Sequence, residues 1–288
     1  MRVATLRTAG GNTAVRVDES DGSTALATPI AGVADVGALL ALPDWTALAA
    51  EARGGTRPLD PASLATLIPR PSKTVCVGLN YRTHILEMGR ELPEFPTLFA
   101  KFPEALIGAR DDIEIPPVSQ SIDWECELVV VVGQPVRGAD RAEAERAIAG
   151  YTIMNDVTMR DWQFRTREWL QGKTFEHTTP VGPVLVTADE WQPGPTIRTI
   201  VDGELMQEAS TGDLVFDPAH LVSYISTIIT LQPGDMIATG TPGGVGHARK
   251  PPRYMAPGAK VQTIIDGIGS LENICVAVDG RGGSAVPS

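Results

Sequence analysis

Two glutamates with alternate spacing form the strongest local signal for chemistry. Glu125 and Glu127 lie in Asp-Trp-Glu-Cys-Glu, which leads directly into the apolar run at residues 128–132. Because side chains two apart on a strand face the same side, we expect both carboxylates to point together. A buried pair of carboxylates is tolerated when one is protonated or when a cation lies between them. The alternative is a solvated strand edge with both glutamates in water, which the adjoining apolar strand disfavours.

A third carboxylate, Asp156, directly follows the apolar segment at residues 151–155. The Asn-Asp pair is also a common turn former, which is the alternative role of this residue. Together with Glu125 and Glu127, Asp156 would complete an oxygen face for a hard divalent ion. A site made of carboxylates favours Mg²⁺ or Mn²⁺ over zinc and leaves positions for water and substrate.

A histidine and a lysine offer a base and a positive charge. His84 and Glu87 are three residues apart, so on a helix they would be neighbours. A carboxylate beside an imidazole raises its basicity and fixes its tautomer, as a water-activating base requires. An ordinary surface pair is the alternative. Lys173, flanked by Trp169 and Phe175, could neutralise a developing oxyanion, whereas a lysine extending to solvent is the commoner case.

Further polar groups follow the third carboxylate. Arg160 and Gln163 come four and seven residues after Asp156, so a helical turn would place all three on one side. Residues 240–246, Gly-Thr-Pro-Gly-Gly-Val-Gly, are rich in backbone donors and resemble an anion-binding nest. Their spacing fits neither a Walker A loop nor a dinucleotide-binding turn. His220 falls inside a predicted helix, and we interpret it as structural.

The elements that must position these groups are mostly short strands. Apolar segments predict strands at residues 74–77, 128–132, 151–155, 184–186, 196–201, 236–238, 261–265 and 274–278. Helices are predicted at residues 142–149 and 218–230. Asp140 and Asp217 are their expected N-caps, with Gly150 ending the first helix. Many short strands with scattered helices predict a β-rich α+β fold.

The first 71 residues carry almost no groups suited to chemistry. They predict a hairpin at residues 2–7 and 13–18, helices at 33–42 and 45–53, and a proline-punctuated linker up to residue 71. We therefore interpret residues 1–71 as a small N-terminal cap domain and residues 72–288 as the domain that carries the candidate site.

Composition excludes several classes of protein. The chain has 288 residues, with 24 Lys and Arg against 35 Asp and Glu, and a formal charge of −11. This acidic balance argues against a nucleic-acid partner, because phosphate binding needs clustered basic residues. The apolar run at residues 128–132 is far short of the roughly 20 residues of a membrane span. Three cysteines without metal-ligand spacing and an N-terminus without an apolar signal segment predict a cytoplasmic protein with no membrane partner.

Five segments in order make the chain similar to the fumarylacetoacetate hydrolase family over about residues 72–280. They are GLNYRTHILEMG, SIDWECELVVVVG, GYTIMNDVTMRDWQ, GKTFEHTTPVGPVLVT and PGDMIATGTPGGVG, followed by PPRYMAPGAKV. The resemblance implies the rolled mixed β-sheet core of that family's C-terminal domain, so that residues 72–288 would be a catalytic domain. It also implies a Mg²⁺ or Mn²⁺ ion and a homodimer.

The resemblance also implies a role for each candidate residue. It makes three carboxylates the metal ligands, namely Glu125, Glu127 and Asp156. It gives the catalytic roles to His84, Glu87 and Lys173, with the first two as a water-activating pair on a lid. It gives substrate contacts to Arg160, Gln163 and Thr241. The stretch 77–80 lacks the fourth carboxylate of the larger eukaryotic hydrolases, so the chain resembles the smaller three-carboxylate branch. His177 departs from the family pattern and is expected to alter the pocket.

These roles imply a metal-dependent hydrolase that acts on a carbon–carbon bond. It would cleave a 2,4-dioxo acid, an acylpyruvate such as fumarylpyruvate or acetylpyruvate, to pyruvate and a carboxylic acid. Water activated by His84 would attack C4, and Lys173 and Gln163 would stabilise the oxyanion. The alternatives are an oxaloacetate decarboxylase, a 2-hydroxyhepta-2,4-diene-1,7-dioate isomerase and a 2,4-diketo-3-deoxy sugar acid hydrolase, in the catabolism of aromatics or sugar acids. A catalytically silent dimer that keeps the metal site is a further alternative.

Overall fold

Most of the chain is described by a computed structural model that covers residues 1–20, 23–87 and 89–279. Its strands are β1 (Arg2–Thr8), β2 (Gly11–Ser20), β3 (Ser23–Pro29), β4 (Arg57–Pro58), β5 (Thr74–Gly78), β6 (Thr97–Lys101), β7 (Leu106–Ile107), β8 (Ile113–Ile115), β9 (Ile122–Asp123), β10 (Cys126–Val132), β11 (Ile148–Asn155), β12 (Thr158–Met159), β13 (Thr179–Thr187), β14 (Thr196–Val201), β15 (Glu204–Ser210), β16 (Met236–Ala238), β17 (Lys260–Ile265) and β18 (Gly269–Ala277).

Its α-helices are α1 (Val36–Leu40), α2 (Trp45–Glu51), α3 (Arg82–Glu87), α4 (Arg141–Arg146), α5 (Arg160–Gln163), α6 (Leu170–Lys173) and α7 (Pro218–Ile228). Single 3₁₀ turns lie at Pro61–Ser63, Pro103–Ala105 and Gly246–Ala248. Within the described ranges, every helix is too short or too polar to cross a bilayer.

The largest sheet places the candidate carboxylates at its centre. It contains eleven strands in the order β4-β3-β2-β1-β13-β11-β10-β16-β5-β6, with β7 beside β13. β10 and β11 are antiparallel and every residue in them is buried, which is why both read as nearly continuous apolar runs. β16 pairs with β5 in parallel, so the sheet is mixed. The predicted β-rich α+β class is confirmed.

A second sheet covers the central strands of the first. It has five strands in the order β15-β14-β17-β18-β8, and β11 and β13 pack against β17 and β18. One apolar core cluster joins the two sheets, including Val130 and Tyr151 on one side and Ile197, Ile265 and Leu271 on the other. β9 and β12 form a separate short pair beside the site. The carboxylates therefore lie at the end of rigid, fully buried strands.

The N-terminal strands continue the main sheet. β1 pairs with β13, with Arg2 opposite Val186, and β2, β3 and β4 follow outward. The predicted hairpin is present, and the two predicted helices are found in shorter form as α1 and α2. The division into domains at residues 1–71 and 72–288 stays a prediction.

The end predicted for the first of the two later helices was wrong. The helix predicted at residues 142–149 ends at Arg146, and β11 begins at Ile148. Gly150 lies inside this strand, where an added Cβ would come within 2.0 Å of the Val186 carbonyl oxygen. The glycine is therefore needed for the close approach of β11 to β13 and does not end a helix. In contrast, α7 begins at Pro218 with Asp217 as its N-cap, as expected.

Candidate active site

The three predicted carboxylates converge at the end of the β10–β11 pair. Because Cys126 pairs with Asn155 in an antiparallel register, Asp156 after β11 lies opposite Glu125, and Glu127 follows two residues along on the same face of β10. The Asp156 amide donates a hydrogen bond of 2.8 Å to the Glu125 carbonyl and holds the two segments together. One carboxylate oxygen from each of Glu125, Glu127 and Asp156 lies within 4.8 Å of the others, and all three residues are buried.

The electrostatics of this cluster fit a cation. Burial raises the pKa of Glu127 well above its usual range, and the charges of Asp156 and Glu125 raise it further. The Gly240 amide donates to a Glu127 oxygen at 2.9 Å, which stabilises the ionised form. Three buried carboxylates that repel one another, with oxygen donors only, are suited to a hard divalent ion. The trio fits a divalent metal, and its chemistry does not select between Mg²⁺ and Mn²⁺.

Two buried lysines bind the same aspartate. Lys173 donates from Nζ to Glu125 Oε2 and to Asp156 Oδ2, each at 2.7 Å. Lys101 donates to Asp156 Oδ1 at 2.6 Å, and its side chain is fully buried. Burial by itself would raise the pKa of Asp156, but the two ammonium groups outweigh it and leave that pKa lowered. Asp156 is thus held ionised with a partner on each oxygen.

Lys101 was missed in the sequence, although a signal was present. It ends the apolar segment Thr-Leu-Phe-Ala-Lys and is followed directly by Phe102. Lys101 is the one buried residue of β6, and a buried ammonium needs a buried partner. The partner comes from a segment 55 residues away, which the sequence pattern did not reveal.

Arg160 links the cluster to a second missed residue, Asp123. The guanidinium donates from Nε to Asp123 at 2.8 Å, lies 2.6 Å from Glu125, and donates to the Gln163 oxygen at 2.9 Å. The guanidinium of Arg160 is therefore already bound to side chains of the protein. The helical turn expected to join Asp156, Arg160 and Gln163 is wrong, because β12 intervenes and α5 begins at Arg160. The strand pairing of β12 with β9 directs Arg160 back toward Asp123.

Thr241 lies in the glycine-rich loop that closes the site. Its hydroxyl donates to the Cys126 carbonyl at 3.0 Å and accepts from the buried Gln207 side chain at 2.8 Å. Gln207 also accepts from the Cys126 amide and donates to the Pro242 carbonyl, so it ties the loop to the start of β10. A backbone amide of the predicted anion-binding nest, that of Gly240, donates to the Glu127 carboxylate.

His84 lies on α3 and packs against the same loop. An added Cβ at Gly243 would come within 2.8 Å of the imidazole Nδ1, so the loop and the ring are in close contact. Burial lowers the pKa of His84, and the charge of Glu87 opposes this shift without cancelling it. Glu87 is exposed at the end of α3 and lines a groove on the other side of His84. It therefore acts on the imidazole from outside the site.

A cavity of about 280 Å³ opens above the cluster. Its wall includes most of the predicted site residues, namely His84, Glu125, Glu127, Arg160, Gln163, Lys173 and Thr241. His247 and Arg90 also line it, and neither was predicted. His177 lies outside this wall and contacts Glu114 at 3.1 Å, so it does not shape the pocket as expected. His220 stacks on Phe216 in α7, which agrees with its structural interpretation.

The family of the chain follows from a comparison with family models. Residues 73–276 match the model described as fumarylacetoacetate (FAA) hydrolase C-terminal. The chain belongs to the fumarylacetoacetate hydrolase family. Its members are metal-dependent, so the acidic trio of this enzyme is the expected metal site of the family.

Three relatives of this fumarylacetoacetate hydrolase family member have names that indicate isomerisation. A mitochondrial oxaloacetate tautomerase of Bos taurus is 42% identical over 210 residues, which are 72% of this chain and 67% of the relative. The solved structure of a 5-carboxymethyl-2-hydroxymuconate delta-isomerase from Mycobacterium smegmatis is 33% identical, with a TM-score of 0.81 and coverage of 96% and 100%. That of a 2-hydroxyhepta-2,4-diene-1,7-dioate isomerase from Mycobacterium marinum is 32% identical, with a TM-score of 0.79 and coverage of 96% and 98%.

Proposed function

We propose that this enzyme moves a proton between the keto and enol forms of a 2-oxo acid, with oxaloacetate as the first substrate to test. The observation that carries the proposal is the placement of Lys173. Its ammonium lies 2.7 Å from oxygens of two of the three metal-site carboxylates. The charge of Lys173 and that of a bound metal would therefore act on the same part of a substrate. A site of this kind stabilises one enolate oxygen next to the 1-carboxylate.

Each group in the site has a part in this reaction. A Mg²⁺ or Mn²⁺ ion held by Glu125, Glu127 and Asp156 would supply Lewis-acid stabilisation of enolate charge. Lys173 adds a fixed positive charge beside the substrate. Its own pKa stays raised, because the charges of Asp156 and Glu125 outweigh the effect of burial. Lys173 therefore remains an electrostatic group and does not serve as the base.

His84 is the base. His84 takes the proton from C3, the C–H electron pair forms the C2=C3 bond, and the C=O π pair moves to the oxygen. The oxygen then takes up a proton from the His84 imidazolium or from water to give the enol, and ketonisation is the reverse. Because burial lowers the pKa of His84, the imidazole is unprotonated near neutral pH and able to accept this proton. The ring packs against Gly243 of the glycine-rich loop, and the charge of Glu87 acts on it from the other side. The proton then exchanges with the solvent in the groove beyond α3.

The acylpyruvate hydrolysis predicted from the sequence is the second candidate. It needs a donor for an oxyanion at C4, away from the metal, and Lys173 was expected to provide it. Lys173, bound to Glu125 and Asp156, lies at the metal-site carboxylates and would face the 2-oxo end of a substrate, not C4. Both candidate reactions require His84. The names of the relatives also favour the isomerase alternative. Decarboxylation, sugar-acid hydrolysis, the homodimer and the cytoplasmic location stay predictions.

Enol disappearance tests the proposal directly. Freshly dissolved enol-oxaloacetate is followed by its ultraviolet absorbance in a stopped-flow instrument, with Mg²⁺ or with chelator. The wild type should accelerate the loss of enol only with metal, and His84→Asn should reduce this rate by about 10²- to 10⁴-fold. His177→Asn is the matched control, because His177 lies outside the cavity, and asparagine tolerates its positive φ of 54°. Full activity of the His84 variant would overturn the proposal.

A further inference from the structure

The charge of the cavity differs from that of the whole chain. The protein is acidic, with a net charge of −11, yet the only acidic side chains described on the cavity wall are Glu125 and Glu127. The basic side chains on the wall are His84, Arg90, Arg160, Lys173 and His247. His84 is the base, and Arg160 and Lys173 are bound to carboxylates of the protein. The proposed reaction gives no substrate contact to Arg90 or to His247.

His247 is held with one ring nitrogen available. Its backbone amide donates to the buried Asp123 at 2.9 Å, which fixes the turn Gly246–Ala248 at the cavity. Its Nδ1 lies 2.8 Å from the Tyr254 hydroxyl, and its ring lies 5.1 Å from the ring of Phe164. With the phenol donating to Nδ1, the ring proton is on Nε2, which is then a donor for a ligand.

Arg90 offers a second donor on the same wall. It follows α3, six residues after His84, and its backbone amide donates to the Ile85 carbonyl at 3.2 Å. Among the residues that the structure describes, no acceptor binds its guanidinium. The side chain is exposed at the cavity rim. An unpaired guanidinium in this place is a ready partner for a carboxylate.

We propose that Arg90 and His247 bind the second carboxylate of a dicarboxylic 2-oxo acid, with Tyr254 as a positioning residue for His247. The inference rests on the proposed function for the other end of the substrate, which the metal site and Lys173 would hold. A second carboxylate that binds at the cavity rim exchanges part of its hydration for donors of the protein. Arg90 and His247 supply such donors. A monocarboxylic 2-oxo acid has no second carboxylate to accept their hydrogen bonds.

Matched ligands isolate this subsite without any turnover. Malate and 2-hydroxybutyrate share the 2-hydroxy acid end and differ in a carboxylate against a methyl group at the far end. Their affinities for the Mg²⁺-loaded protein are measured by titration calorimetry. The wild type should bind malate at least about tenfold more tightly, as expected for charge-assisted hydrogen bonds. Arg90→Met and His247→Phe should each remove most of this preference and leave the affinity for 2-hydroxybutyrate unchanged.

The positioning role of Tyr254 has its own control. Tyr254→Phe removes only the hydroxyl and should weaken malate binding several-fold, whereas Tyr224→Phe, on α7 and outside the cavity, should have no effect. In kinetics, His247→Phe should raise the KM for oxaloacetate by about tenfold with little change in kcat. It should not raise the KM for the enol of acetylpyruvate, which has a neutral tail.

The possible results separate the two proposals. Equal affinity of the wild type for malate and 2-hydroxybutyrate overturns the carboxylate subsite, even if the enzyme is a tautomerase. Loss of both ligands in the Arg90 and His247 variants also overturns it, because the effect is then not specific to the tail. A malate preference that both substitutions abolish, in a protein without tautomerase activity, supports the subsite and refutes the proposed reaction.

Discussion

Lys101 gives the sharpest test of the metal site, because it binds a proposed ligand but touches no substrate. Its ammonium lies 2.6 Å from Asp156 Oδ1, and both side chains are fully buried. Lys101→Met keeps much of the aliphatic length and removes the charge. Asp156 then keeps only Lys173, at 2.7 Å on its other oxygen.

The size of the effect follows from burial. Removing one partner of a buried ion pair costs about 3–5 kcal/mol, and the remaining lysine places the cost near the lower value. For a chain of this length, about 3 kcal/mol corresponds to a Tm lowered by about 6 °C in the metal-free protein. A divalent ion at the trio would replace the missing charge. A unit charge about 5 Å from a divalent ion repels it by about 1.7 kcal/mol even at the dielectric constant of water, so the variant should bind Mg²⁺ roughly tenfold more tightly.

Thermal unfolding by calorimetry, with chelator and with saturating Mg²⁺, measures both effects. The Tm deficit of Lys101→Met should be largest with chelator and should shrink with Mg²⁺. Lys73→Met is the matched control, because Lys73 lies 2.8 Å from the buried Asp235, away from the site. Its deficit should not depend on Mg²⁺. If Mg²⁺ leaves the Lys101→Met deficit unchanged, Asp156 is not a metal ligand and the reasoning fails.

Three further predictions concern the base, the loop and the metal ligands. Glu87→Gln removes a negative charge that raises the pKa of His84, so the acidic limb of the pH–rate profile should move to lower pH. Arg90→Met removes a positive charge that lowers the pKa of His84, so the same limb should move to higher pH. Gly243→Ala places a Cβ 2.8 Å from the His84 ring and should reduce kcat by about 100-fold, measured with enol-oxaloacetate. Glu127→Gln should weaken Mg²⁺ binding more than about tenfold, measured by titration calorimetry.

Specific results would contradict these predictions. Shifts of the acidic limb in the same direction for both charge variants would show that His84 is not the titrating base. Normal turnover in Gly243→Ala would show that the contact of the loop with His84 has no catalytic role. Unchanged Mg²⁺ affinity in Glu127→Gln would remove Glu127 from the metal site.

The parts of the site that could be predicted from the sequence depend on local geometry. Glu125 and Glu127 share a face because of strand periodicity, and Asp156 joins them because it ends the neighbouring apolar segment. These are short-range rules that a sequence displays directly. The same holds for Asp217 as the N-cap of α7, which depends on residues within one turn.

The missed features depend on contacts between distant segments. Lys101 meets Asp156 across 55 positions, and Asp123 meets the Gly246 amide across 123. Nothing in the spacing of either residue encodes its partner. Gly150 was interpreted as a helix stop because glycine is common there, whereas its role is set by the approach of β13. His247 gives no signal in the sequence until the turn that carries it is placed at the cavity.

We propose an enzyme that transfers a proton and leaves the carbon skeleton of its substrate intact. One reaction, followed at the same time for enol absorbance and for released pyruvate, tests this proposal most directly. Enol-oxaloacetate and acetylpyruvate are supplied in turn to the Mg²⁺-loaded wild type. The loss of enol should depend on metal and should be much faster than any release of pyruvate. Pyruvate released in step with the loss of either substrate would contradict the proposal and favour decarboxylation or hydrolysis.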